Sequence, residues 1–219
     1  MNEIWILLLL IVTAALPVIL VFWFFRLRKL PVTLPWFLVS LAAGVFSVLL
    51  AALIQSFVPD AGGGGLFSVF FNVFFRIALI EELSRFVILI PLFSAVNRRR
   101  NIDVSFCAAL GLVAGLGFAM LENAFFGLAD INITLLRAVT AAPVHGACGI
   151  RIGAAVFLLS RHPTRAFFTF ASAVLIHGAY NLMIISPALP SFLAVFVAFT
   201  AFLSSLSLLK PSGSERNTL

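Results

Sequence analysis

The chain alternates long apolar runs with short polar connections, a pattern with neither the period-2 alternation of strands nor the single apolar stripe of a soluble helix. A helix needs about 20 consecutive apolar residues to cross a bilayer. Runs of that kind fall at residues 4–25, 36–57, 67–97, 104–126, 134–160, 166–186 and 191–209. They predict an all-α polytopic membrane protein of about seven transmembrane helices, forming a single transmembrane domain over residues 1–219. Cations sort the connections. Arg26, Arg28 and Lys29 follow the first run, the arginines at 98–100 the third, Arg161 and Arg165 the fifth, and Lys210 and Arg216 the last. The alternate connections carry Asp60 and Asp130 and no Lys or Arg. The positive-inside rule then predicts an N-terminus outside and a C-terminus inside.

Composition agrees. Of 219 residues, 63% are hydrophobic and 10% charged, where a soluble domain carries about 25% charged residues. The mean hydropathy is +1.18. The net charge of +6 fits cytoplasmic loops against anionic lipid, with no nucleic acid as partner. A signal peptide is not expected, because Glu3 stands where a basic segment would and the first run is long enough to span. Cys107 and Cys148 both fall in predicted helices and give no disulfide framework.

The polar residues inside the runs carry the functional signal. Residues 77–93 read IALIEELSRFVILIPLF, with Glu81, Glu82 and Arg85 in one apolar segment. Each charge at a helix centre costs roughly 2.5–3.5 kcal/mol, and each Leu or Ile returns only about 0.3–0.6. Arg85 lies at i+4 from Glu81 and i+3 from Glu82, so it can pair with either carboxylate. Adjacent helical residues point about 100° apart, which predicts different roles for the two acids. Further on, Gly111, Gly115, Phe118 and Glu122 share one stripe, with Asn123 beside it. Ala138, Ala142, His145, Gly149 and Gly153 share another, with Pro143 two residues before the histidine. His177 and Asn181 lie one turn apart beside Tyr180. Small-residue stripes let helices approach closely, so three packed helices are expected to aim these groups inward. Arg76 and Arg137 read as snorkelling side chains, and the glycines at 62–65 as a flexible loop.

Three carboxylates, two imidazoles and an amide on four helices suit hydrolysis. One Glu can act as general base and acid on a water, and His and Asn can donate to the developing oxyanion. Alternatively, Glu82, His145 and His177 would hold a catalytic zinc with water as fourth ligand. No HExxH is present, and no GxSxG supports a serine nucleophile. A proton-coupled transporter using the same groups as a relay is the competing reading.

Four short segments occur in a telling order: Glu81-Glu82-Leu-Ser-Arg85, Glu122-Asn123-Ala-Phe-Phe126, His145-Gly-Ala-Cys-Gly149 and His177-Gly-Ala-Tyr-Asn181. In them the chain resembles the PrsW-like intramembrane proteases, within the wider CAAX-protease and bacteriocin-processing superfamily. The resemblance covers residues 70–185, which would be the catalytic helix core. It implies an endopeptidase in a bacterial cell membrane that cuts membrane-anchored proteins, as the family's namesake cuts an anti-sigma factor on its extracytoplasmic side. The CAAX branch usually places three residues between the Glu pair and the Arg, and a Phe four before the first His. Here there are two residues, and position 141 is Ala, which favours the PrsW branch. The implied catalytic set is Glu81, Glu82, Arg85, Glu122, Asn123, His145, His177 and Asn181. The family has been described both as metallo- and as glutamic peptidases; the expectation here is the glutamic type without a cofactor, with zinc as the alternative.

Overall fold

The computed structural model describes residues 3–28, 30, 32–63, 65–97, 102–128, 131–185, 190 and 192–209. Lys29, the arginines at 98–100, Asp130, Lys210 and Arg216, on which much of the charge reading rests, lie outside the described residues. Those described form helices and no strand: α1 (Glu3–Leu27), α2 (Leu34–Phe57), α3 (Leu66–Phe70), a π-helical stretch (Phe71–Leu79), α4 (Ile80–Asn97), α5 (Val104–Gly127), α6 (Ile131–Val139), α7 (Ala141–Leu158), α8 (Pro163–Ile185), α9 (Phe192–Ser205) and a closing 3₁₀ turn (Leu206–Leu209). Among the described residues, five helical segments are long and apolar enough to cross a membrane: Leu34–Phe57, Val104–Gly127, Ala141–Leu158, Pro163–Ile185 and Phe192–Leu209.

Two predicted runs differ in detail. The run expected at 134–160 is broken at Thr140 into α6 and α7. Pro143 has no N–H to give the Val139 carbonyl, so the ladder stops there and a proline in the first turn of α7 begins a new one. The run expected at 67–97 is continuous, but its first part winds as a π-helix directly before Glu81 and Glu82.

The bundle is built around α5, which is buried without interruption from Ser105 to Ala119. Large apolar side chains such as Trp23, Phe46, Leu53, Phe168 and Phe199 stay exposed on the outer helices, the distribution expected where lipid rather than water surrounds the protein. α5 can be enclosed on all sides because it is small-residue rich. A Cβ at Gly149 of α7 would fall on the Gly111 carbonyl and the Gly115 Cα, and one at Gly153 on the Cys107 carbonyl. On the other face, Gly44 of α2 lies against the Ala114 carbonyl and Gly117 against that of Leu41. The helices thus meet backbone to backbone, and dispersion contacts replace the hydrophobic effect that lipid cannot supply.

The connection after α2 is ordered by its own polar groups. Gly62 and Gly63 adopt positive φ values of 52° and 86°, which glycine reaches at no steric cost. Gly62 N–H and Asn72 Nδ2 both donate to Asp60 Oδ1, at 2.9 and 2.8 Å. Ala61 N–H donates to Asn72 Oδ1 at 3.1 Å, so the loop is tied to the π-helical stretch.

These contacts give a sharp expectation. Gly149→Val should drive α5 and α7 apart, because the atoms it meets are backbone and cannot rotate away; overpacking of this kind costs about 1–3 kcal/mol or more. Gly178→Ala meets the Phe74 ring instead and should be milder. Thermal unfolding of the detergent-purified protein would show the larger loss for Gly149→Val, and equal stabilities would contradict this packing.

Candidate active site

The π-helical stretch delivers the chain into α4 so that Glu81 and Glu82 open its first turn, both buried. Their different directions lead to different neighbours. Glu82 is fully buried and points to Arg85, whose Nη1 donates to Glu82 Oε2 at 2.5 Å. Its other oxygen accepts from His177 Nδ1 at 2.8 Å. Both oxygens of Glu82 are therefore engaged. Glu81 instead turns towards α2, where Gln55 Nε2 donates to its Oε1 at 3.4 Å. Glu81 Oε2 is buried and has no hydrogen-bond partner among the described residues. His177 Nε2 faces it at 3.6 Å.

Arg85 is the hub. Its Nη2 lies 3.4 Å from His145 Nδ1, and its guanidinium carbon sits 4.4 Å over the Phe118 ring. A guanidinium can only donate, so Nδ1 of His145 is the accepting nitrogen and Nε2 carries the hydrogen. That Nε2–H donates to Glu122 Oε2 at 2.8 Å. The His145 ring stacks on Phe118 at 5.0 Å and meets His177 edge-on at 4.9 Å. Glu122 is held from a second side by Arg137 Nη2 at 2.5 Å.

Of the eight residues expected from sequence, six (Glu81, Glu82, Arg85, Glu122, His145 and His177) form one continuous cluster. Asn123 is buried but turned aside, its Oδ1 accepting from Arg137 Nε at 2.8 Å. Asn181 lines a cavity of about 510 Å³ between α2, the π-helical stretch, α5 and α8. Glu81 and Glu122 also face this cavity, with Arg76, Arg137 and Gln55 around them.

Three neighbours escaped the sequence reading. Arg137 does not snorkel: it bonds Glu122 and Asn123 and stacks over Phe126 at 4.1 Å. No local signal announces this, because it depends on the break between α6 and α7. Gln55 was visible as a polar residue in the last turn of an apolar span. Phe118 lies one turn before Glu122 on the stripe already identified, and what that stripe concealed was an aromatic wall between Arg85 and His145.

Three side chains are also close enough to share a divalent cation, provided His145 releases one of the two bonds that occupy its ring nitrogens. Glu81, His145 and His177 each bring one ligand atom, all within 4.8 Å of one another. The sequence expectation placed Glu82 in that trio. Its oxygens are taken by Arg85 and His177, and Glu81 stands there instead.

Comparison with known proteins agrees with the motif order. The profile of the family described as "PrsW family intramembrane metalloprotease" matches residues 32–206. A protein named Protease PrsW from Oceanobacillus iheyensis is 26% identical over 162 residues, covering 69% of this chain and 71% of the relative. No solved structure matches.

A buried pair broken from one side is more costly than a pair never made. Arg85→Ala should destabilise the protein by about 3–5 kcal/mol, since Glu82 is left buried without its cation. Replacing both residues by Leu and Met should recover much of that loss. Denaturant titration of the three proteins reads the difference, and a double variant as unstable as Arg85→Ala would refute the argument.

Proposed function

The chain belongs to the PrsW family of intramembrane proteases, and on that premise we propose that it hydrolyses a peptide bond of a membrane-anchored protein, with Glu81 as the carboxylate that works on water. One observation carries the choice between the two acids: Glu81 lines the cavity and keeps one buried oxygen without a hydrogen-bond partner, whereas both oxygens of Glu82 are bonded. A general base needs a free acceptor within reach of the proton it takes. Glu81 accepts a proton from water as the water oxygen attacks the carbonyl carbon, and returns it to the leaving nitrogen as the C–N bond breaks. Asn181, on the cavity wall, donates from its amide to the oxyanion, a contribution worth about 10²–10³-fold for one donor. Glu82 orients His177, Arg85 orients Glu82, and Glu122 holds the Nε2–H of His145.

A second reading has its own support in the donor set. Glu81, His145 and His177 would hold a zinc ion, with Glu82 fixing the His177 ring from behind as carboxylates do for metal-ligating imidazoles. When bound, such an ion polarises a carbonyl and makes a water acidic enough to deprotonate at neutral pH. Our reading remains the metal-free one, because a single carboxylate with a free oxygen supplies the chemistry.

For topology we propose seven crossings in a bacterial cell membrane. The five apolar spans are joined by α1 and by the continuous run from α3 to α4, with the N-terminus outside and the C-terminus inside. Glu122 lies five residues before the end of α5, on the order of 8 Å at 1.5 Å per residue. Cleavage then falls near the extracytoplasmic boundary of a single-span substrate, of which an anti-sigma factor is the kind the family resemblance suggests.

Incubating the protein with single-span membrane proteins and mapping the cuts by mass spectrometry tests the activity. Glu81→Gln should lower cleavage by about 10²–10⁴-fold, the range of general acid–base catalysis, while folding normally. Full activity in that variant would remove Glu81 as the base. Chelator-treated protein should retain activity and contain less than one zinc per chain. Activity lost to the chelator and restored by zinc would transfer the chemistry to the metal reading.

Orientation has its own check. A cysteine replacing Gly63 should react with an impermeant thiol reagent on intact cells, and one replacing Arg99 only after lysis. The reverse pattern would invert the topology.

A further inference from the structure

We infer that Arg76 forms a subsite for a carboxylate side chain of the substrate, on the flank of the scissile bond that faces the end of α2; the inference rests on the protease reading above. Arg76 is half-buried in the π-helical stretch and lines the same cavity as Glu81. Five residues apart, the two would point about 140° from each other on an α-helix of 3.6 residues per turn. The π-helical turns that run from residue 76 to the start of α4 hold more residues than an α turn and so narrow that angle, and both side chains line the cavity.

The guanidinium is positioned but not used up. Arg76 Nε donates to the Val58 carbonyl at the end of α2, at 3.0 Å. Its two terminal nitrogens hold no hydrogen bond to a described residue, and neither Glu81 nor Asp60 forms an ion pair with it. Asp60 is within electrostatic reach but is occupied elsewhere. The Gly62 N–H, then the Asn72 amide, hold its carboxyl below the ordinary range, and the charge of Arg76 adds less. The other arginine at the cavity, Arg137, is committed to Glu122 and Asn123. Arg76 is therefore, among the described residues, the cation of this cavity without an acidic partner. Its planar fork with two free nitrogens matches a carboxylate, which it can bind through two parallel N–H bonds.

Geometry limits where that carboxylate sits. Five helical residues span on the order of 7 Å, and an extended peptide advances about 3.3 Å per residue. The acidic residue belongs two or three positions from the bond that is cut.

The probe is a designed single-span Leu/Ala helix whose outer flank of eight residues is randomised, reconstituted with the full-length protein in phosphatidylcholine vesicles. Sequencing the cut products from wild type should show Asp or Glu enriched about tenfold to a hundredfold at one such position, the range for a hydrogen bond to a charged group. Arg76→Gln should abolish the enrichment while cutting neutral sequences, and Arg76→Glu should select Lys or Arg at the same position. An effect of Arg76→Gln that is equal for every sequence, and that changes on adding phosphatidylglycerol, would assign the arginine to lipid headgroups and overturn the proposal. Cleavage by wild type without any acidic preference would overturn it too, leaving the protease reading intact. No cleavage by wild type would bring down both.

Discussion

A guanidinium with no exposure inside an apolar bundle needs acceptors; Arg85 finds them for its terminal nitrogens and links four helices in doing so, while its Nε stays without a hydrogen-bond partner among the described residues. From α4 it reaches Glu82 on its own helix, His145 on α7 and the face of Phe118 on α5. Through Glu82 it also fixes His177 on α8. A buried ion pair contributes little net stability, since desolvation offsets most of the attraction. What it imposes is geometry, because any register that separates the pair leaves a bare charge in the core. The consequence is chemical. Once Arg85 has taken one oxygen of Glu82 and His177 the other, Glu81 is the acid of the pair that keeps an unpartnered oxygen. Two adjacent glutamates are thus not duplicates: one builds the wall and the other faces the cavity.

That arrangement depends in turn on how closely α5 and α7 approach. A Cβ at Gly115 would strike the His145 carbonyl, so the contact that packs the two helices also sets the height of the imidazole beside Glu122. The same reasoning applies to Gly178, next to His177, whose missing side chain is replaced by the Phe74 ring of the π-helical stretch. Packing and chemistry share residues here because the site has no loop scaffold of its own. It is made of helix faces, and any added methylene moves a functional group.

Much of this was legible beforehand, for a physical reason. Charges in an apolar run are too costly to be incidental, so Glu81, Glu82, Arg85 and Glu122 announce themselves, and glycine stripes mark the faces that meet. The helical class and the participation of His145 and His177 follow from the same logic. What stayed hidden depends on backbone geometry that hydropathy does not encode. The break at Thr140 carries Arg137 into the site rather than towards lipid. Pro143 was a visible hint, but a proline can kink a membrane helix without ending it. Which of Glu81 and Glu82 pairs with Arg85 was equally closed to sequence, since Arg85 lies within about one turn of both.

The π-helical stretch is the least legible feature and has the widest consequences. It differs from an α-helix only in which carbonyl each N–H selects, and its residues FNVFFRIAL carry no signature of that choice. Such stretches have poorer hydrogen-bond geometry and persist where surrounding packing holds them, often at functional sites. Here the holding contacts are visible: Phe74 fills the space over Gly178, Phe70 stacks on Phe74 at 4.6 Å, and Asn72 ties the stretch to the Asp60 loop. Wound wholly as an α-helix, the same residues would set Arg76 and Glu81 about 140° apart, an angle that the wider π turns before α4 narrow. A cation and a carboxylate on one continuous helix thus line a single cavity without an ion pair between them. In the function proposed above, cleavage chemistry and recognition of the cut segment are then separated by about one turn of the same continuous helix.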